Sequence, residues 1–242
     1  MRTRNRDRRR VTDAVASLLR RTDEEFEASS TYDELSRLAV EEWSDFLIAR
    51  PHRRTESLVA RLAAEGRRET RERPPRALAI FAVAVSITND LRDVFLLAEW
   101  KARLARQRAE ALLALRRYPE ALEAVDSAEA FLSHVRDAAA YELPFVRWIR
   151  ARIFFETERL SEALNLAVAV VHSFEKCEDV ECANQVRILV ADICAARGEI
   201  EDANSMYREL LVYFEEQEDE EIVSLLRPKV AKCEADATQR SR

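Results

Sequence analysis

Apolar residues recur along this chain at three- and four-residue intervals, and over its second half the whole pattern recurs as well. The clearest unit is Arg116–Leu132, RRYPEALEAVDSAEAFL, in which a tight polar turn leads into a helix beginning Pro119-Glu120-Ala121-Leu122. The same phrase returns as Arg159-Leu160-Ser161-Glu162-Ala163-Leu164 and again as Glu199-Ile200-Glu201-Asp202-Ala203. Ala121 and Ala163 are 42 residues apart, Ala163 and Ala203 are 40. Self-similarity at a fixed period between about 20 and 50 residues is the signature of a solenoid.

Read in order, the pattern predicts helices nearly throughout. Val11, Ala14, Val15, Leu18 and Leu19 mark a short amphipathic helix over Val11–Arg20, and the acidic, polar stretch Thr22–Thr31 reads as a linker. From Thr31 a helix carries Leu35, Leu38, Ala39, Trp43, Phe46 and Leu47 until Pro51 stops it, because the residue before proline avoids helical angles. Thr55–Glu65 is the next helix, Gly66–Pro75 a loop of charge and proline, and Ala77–Ile87 a helix apolar nearly all round. The repeats follow as helix pairs: Phe95–Leu115 with 119–132, Asp137–Glu156 with Ser161–Phe174, and Val180–Ala196 with Ile200–Phe214. Gly198 is the expected left-handed residue ending a helix. Ile222, Val223, Leu225, Leu226 and Val230 then trace a terminal helix that caps the last apolar face. The divisions are 1–30 for a basic leader with a short helix, 31–91 for divergent helices, 92–217 for the repeats, and 218–242 for cap and tail.

Composition supports this picture. Only two glycines and six prolines occur in 242 residues, so strand-and-turn folds lack their punctuation. The net charge of −6 is uneven: residues 1–76 hold 18 Arg against 15 acidic residues, and residues 77–242 hold 21 basic against 30 acidic. Met1–Arg10 contains six arginines and no apolar residue after Met1, a composition that does not pack. No apolar run approaches the roughly 20 residues that span a bilayer, and no secretory h-region opens the chain. Cys177, Cys182, Cys194 and Cys233 are too unevenly spaced for a disulfide framework, so a cytoplasmic, reducing location is expected.

At the repeat residues the chain resembles a tetratricopeptide repeat protein, whose unit is an antiparallel helix pair packed at small residues. The matching positions are Ala109, Leu112, Tyr118, Ala121, Val125 and Ala128. In the next unit they are Ala151, Phe154, Leu160, Ala163, Ala167 and Val170, and in the third Ala191, Cys194, Ile200, Ala203, Tyr207 and Leu210. A divergent pair precedes these, with Ala77, Phe81 and Ala84 in register but Glu65 at the small-residue site. The spacing of 40 to 44 exceeds the family's 34 and is similar to that of bacterial regulatory repeat proteins. The resemblance implies an all-α fold, an α-solenoid of antiparallel helix pairs wound as a right-handed superhelix, and a protein-binding adaptor or scaffold role.

The resemblance also implies a concave groove lined by the first helix of each pair. Carried onto this chain, the groove residues are Arg103, Arg106 and Glu110, then Trp148, Arg152 and Phe155, then Gln185 and Asp192. Arginine forks onto carboxylates and aromatics supply contact area at small entropy cost, so an acidic protein or peptide segment with apolar anchors is the expected partner. The bland alternative is that Trp148 and Phe155 only pack against a neighbouring helix. Catalytic chemistry finds no home: His52, His134 and His172 are scattered, and no glycine-rich phosphate loop or nucleophile motif occurs. Cys177, Cys182 and His172 have ligand character but lack the C-x2-C spacing of zinc sites. No enzyme activity, cofactor or metal is expected. Two further readings stand beside the adaptor: a regulatory sensor whose arginine-rich N-terminus contacts nucleic acid or a regulator, and a self-associating array.

Overall fold

A computed structural model describes residues 22–240. The helix expected over Val11–Arg20 and the arginine-rich leader lie outside the described residues. The chain forms two compact units: residues up to Glu120 with Ala130–Val135, and Ala121–Glu129 with Arg136 onward.

The first unit begins with a helix over 22–35 (α1) and two short 3-10 turns, Val40–Glu42 and Pro51–Arg53, on either side of α2, Trp43–Ile48. Then come α3 (Glu56–Glu72), α4 (Pro74–Thr88) and α5 (Val94–Ala114). Local chemistry sets these starts. The Thr55 hydroxyl accepts the Leu58 N–H at 3.3 Å, Pro74 opens α4 where its missing N–H is harmless, and Asp93 accepts the N–H groups of Phe95 and Leu96 at 2.9 and 3.1 Å.

Three expectations need correction here. Thr22–Thr31 is helix rather than linker, because Ala28, Thr31, Tyr32 and Leu35 are buried at helical spacing through the polar surroundings. The single helix expected from Thr31 to Pro51 is broken between residues 36 and 42, so Trp43 arrives on a separate element. The loop expected over Gly66–Pro75 is mostly helix, since α3 continues to Glu72 and only Arg73 separates it from α4. Gly66 sits mid-helix for a steric reason. A Cβ there would overlap the ring of buried Phe81, with two of the ring carbons at 2.8 Å and a third closer still. Gly66, not Glu65, therefore supplies the close approach between α3 and α4.

Glu65 and Glu69 are buried all the same, and each is partnered. Glu69 takes a two-pronged pair from Arg73 at 2.7 Å, with the Arg76 guanidinium 3.7 Å away; Glu65 pairs with Arg68 at 2.5 Å and with the Tyr32 hydroxyl. Burial, then the Glu65 carboxylate, pushes the Tyr32 phenol up to about 12. Unpaired carboxylates would be strongly disfavoured in this interior.

After α6 (Tyr118–Leu132), the second unit runs α7 (Arg136–Glu156), α8 (Leu160–Lys176), α9 (Val180–Ala196), α10 (Ile200–Glu216) and α11 (Glu220–Arg240), each packed on the next from α7 onward. Its turns share one geometry. At Glu158, Glu178, Gly198 and Glu218, spaced by 20 residues, the backbone enters the left-handed region with φ of 59°, 58°, 85° and 57°. Each is flanked by the paired hydrogen bonds of a Schellman motif, for instance Gly198 N–H to Ala195 O at 3.0 Å and Glu199 N–H to Cys194 O at 2.9 Å. Arg116, after α5, turns the same way at φ 57°. Gly198 is left-handed as predicted; the other turns achieve it with glutamate or arginine.

Burial repeats with the turns. Ala163, Ala167, Val170 and Phe174 of α8 are buried, as are Ala203, Tyr207, Leu210 and Phe214 of α10, forty residues on. The polar links repeat too: Arg187–Glu175 recurs as Arg227–Glu215, and the Asp179 cap on Cys182 recurs as the Asp219 cap on Ile222. α11 departs where an array must end. Its Ser224, Ala231 and Glu234 are exposed at the positions where α9 buries Asn184, Ala191 and Cys194. The architecture is an all-α solenoid of successive helix pairs, and no strand occurs among the described residues.

Candidate interaction surface

The first helices of the pairs in the second unit are α7 and α9, and the 40-residue register makes α11 the next of them. Between α9 and α11, over the start of α10, lies an open cleft of about 340 Å³. Phe155, Asp192, Ala195, Tyr207, Lys229, Lys232, Cys233 and Asp236 line it. At its centre Asp192 accepts from the Tyr207 hydroxyl at 2.5 Å and from the Lys229 ammonium, which also stands 5.6 Å from the Tyr207 ring. Burial, then Asp192, pushes the Tyr207 phenol far above its usual range. Burial likewise raises the thiols of Cys194 and Cys233, which keeps them protonated and poor nucleophiles. Asp192 is thus held by a cation and a phenol, while Arg152 and Lys232 are exposed with no carboxylate partner among the described residues.

The sequence-derived groove residues fall into two groups. Arg103, Arg106 and Glu110 lie on α5 of the first unit. There Arg103 pairs with Glu99 at 3.2 Å and lies 5.0 Å from the Trp100 ring, and Arg106 pairs with Glu110 at 3.2 Å with its side chain only 14% exposed. In the second unit Trp148 and Phe155 are half-buried against the core, Gln185 donates to Glu181 at 3.3 Å, and Phe155 and Asp192 meet in the cleft. Lys229 and Lys232 are additions to the expected set. Lys232 follows Asp192 by 40 residues and Arg152 by 80, so the register itself, carried one helix further, points to it.

Cys177 is exposed, Cys182 is half-buried, and His172 stands 3.6 Å from Glu175. Burial, then Asp179, pushes the Cys182 thiol up to about 12. Among the described residues no three His, Cys, Asp or Glu side chains gather as a metal site, and no helix is long and apolar enough to cross a membrane.

No family profile matches the sequence, and no curated protein matches it either. The fold does have solved counterparts. A Podosopora anserina protein assigned as a kinesin light chain, with nearly identical TPR-like repeats, superposes in a point-substituted form with a TM-score of 0.54 at 16% identity. That match covers 76% of this chain and 88% of the other. A second crystal structure of these repeats gives 0.50 at 14% identity, over 74% and 96%. The fold is therefore TPR-like, in agreement with the resemblance carried by the alanine register.

Proposed function

We propose that this chain is a non-enzymatic interaction module of the cytoplasm, an adaptor that holds a segment of another protein against its first-helix face. The TPR-like fold supports protein binding in general, and the α9–α11 cleft supports the particular surface. The observation that carries the reading is the pairing pattern in the cleft and at Arg152, three residues before Phe155 on α7. Asp192 is already engaged by Lys229 and Tyr207, whereas Arg152 and Lys232 face solvent without a partner among the described residues. An extended segment with acidic residues can fork onto Arg152 and pair with Lys232, while an apolar anchor enters beside Phe155. Arg103 and Arg106 contribute less than their sequence positions suggest, because Glu99 and Glu110 already hold them.

Fluorescence anisotropy with a labelled peptide alternating Glu and Leu tests this on the full chain. Binding should weaken at least tenfold in Arg152→Glu/Lys232→Glu and severalfold in Phe155→Ala, while Arg103→Glu changes it little. Equal affinity for wild type and the double variant would overturn the assignment of this face. Both side chains are exposed, so the double substitution leaves the core intact.

A further inference from the structure

A second crevice opens on the other side of the second unit, between α8 and α10 over α9, with a volume of about 480 Å³. Its α8 wall is Val168 and Val171, and its α10 wall runs from Met206 to Tyr213. Val168 is 52% exposed, and Val212, also on α10, is 55% exposed. Val168, Val171, Val190, Met206, Leu210 and Tyr213 together make the lining contiguous and largely apolar, the kind of patch that marks an interaction site. At the floor, Arg187 donates to Asn184 at 2.5 Å and pairs with Glu175, so its charge is satisfied within the fold.

The charge beside this crevice is acidic and uncompensated. Glu209, on the α10 wall, receives only the Ser205 hydroxyl at 3.3 Å and has no cationic partner among the described residues. Asp202 and Glu216 are exposed along the same helix, likewise with no cationic partner among the described residues. The position equivalent to Glu209, one helix on by the 20-residue register, is Lys229 of the other cleft. Equivalent crevices on the two sides thus carry opposite charge on the matching wall.

We infer that the α8–α10 crevice is a second interaction surface, which seats a basic amphipathic helix of a partner protein. Met206 and Tyr213 are seven residues apart, roughly 10 Å along a helix axis, the span of apolar anchors at i, i+3 or i+4, and i+7. Lysines or arginines flanking those anchors would meet Glu209 and the carboxylates beyond it. The adaptable Met206 suits a helix whose anchors vary in shape.

The test uses the full chain and two labelled 18-residue helical peptides. Both carry Leu at i, i+3, i+4 and i+7; one has Lys elsewhere, the other Glu. The Lys peptide should bind and the Glu peptide should not. Val168→Glu and Met206→Glu should each weaken the Lys peptide at least tenfold, although both add negative charge that would strengthen mere charge attraction. Glu209→Lys should weaken it severalfold, and Arg152→Glu/Lys232→Glu should not weaken it. Val168 is half exposed, so its replacement reads the surface even where Met206→Glu perturbs folding. Undiminished binding to Val168→Glu would overturn the proposal, as would equal binding of the two peptides. Concentration-dependent self-association in light scattering, abolished by Val168→Glu, would overturn it in favour of a second copy of the chain.

Discussion

The two units reach the same helical architecture by different means. In the second, α10 repeats the work of α8 forty residues on: a small residue at the crossing, an aromatic before the turn, a left-handed residue after it. Phe174 and Phe214 occupy equivalent places, as do Ala163 and Ala203, and their burial agrees position by position. The first unit up to α4 has no such redundancy. It rests on one-off fits: Trp43 on a short helix, Phe81 against Gly66, and two buried glutamates each tied to arginine. A periodic core distributes its tolerance, because every site has a counterpart under the same constraint. A singular core concentrates its vulnerability at a few contacts.

The largest effect expected from this contrast is in the aromatic positions. Phe174→Ala and Phe214→Ala should each cost about 3–5 kcal/mol in urea unfolding, the range for a buried phenylalanine truncated in a packed core. Equivalence makes the sharper claim: the two losses should agree within about 1 kcal/mol, below the spread usual for such truncations. Losses differing by more than that would show that the register repeats in geometry but not in energy.

Next in size is Gly66→Ala. In an exposed helix interior the change would stabilise by roughly 1 kcal/mol. Here the new methyl would overlap the Phe81 ring, so repacking should dominate with a cost of about 1–3 kcal/mol. The sign is the test. In a Phe81→Leu background, which vacates the contact, Gly66→Ala should become stabilising. Destabilisation in both backgrounds, measured by thermal unfolding, would move the cause away from the ring contact.

The same contrast separates what is legible in the sequence from what is not. The repeat register and its alanine positions are readable because burial at a fixed interval leaves a periodic trace in composition. The α3–α4 junction is not, because glycine within a charged stretch carries the same letters as a loop, and only the ring of Phe81 distinguishes them. Ala28 and Tyr32 are hidden similarly, their spacing masked by the glutamates around them. Trp148, Phe155 and Asp192 are singled out by the groove positions that the resemblance implies, not by periodicity alone; Phe155 and Asp192 line the cleft, and Trp148 packs against the core. Lys229 and Lys232 escape the register because α11 reads as a cap, which its outer face is, while its inner face continues the series of first helices.

The smallest effects lie in the turns, where the backbone enters the left-handed region every 20 residues. Gly198 has φ of 85°, a region that costs a residue with a Cβ roughly 1–2 kcal/mol. Gly198→Ala should therefore destabilise by about 1 kcal/mol. The opposite substitution should act at the equivalent turns. Glu158, Glu178 and Glu218 are exposed at φ of 59°, 58° and 57°, so replacing each by glycine relieves left-handed strain without uncovering the core. Glycine's greater freedom in the unfolded chain offsets part of the gain, leaving about a few tenths of a kcal/mol per site. The three changes together should raise the unfolding midpoint slightly, and Gly198→Ala should lower it. A triple glycine variant less stable than wild type would mean that these glutamates help the turns through their side chains, and that the regular interval rests on more than backbone geometry.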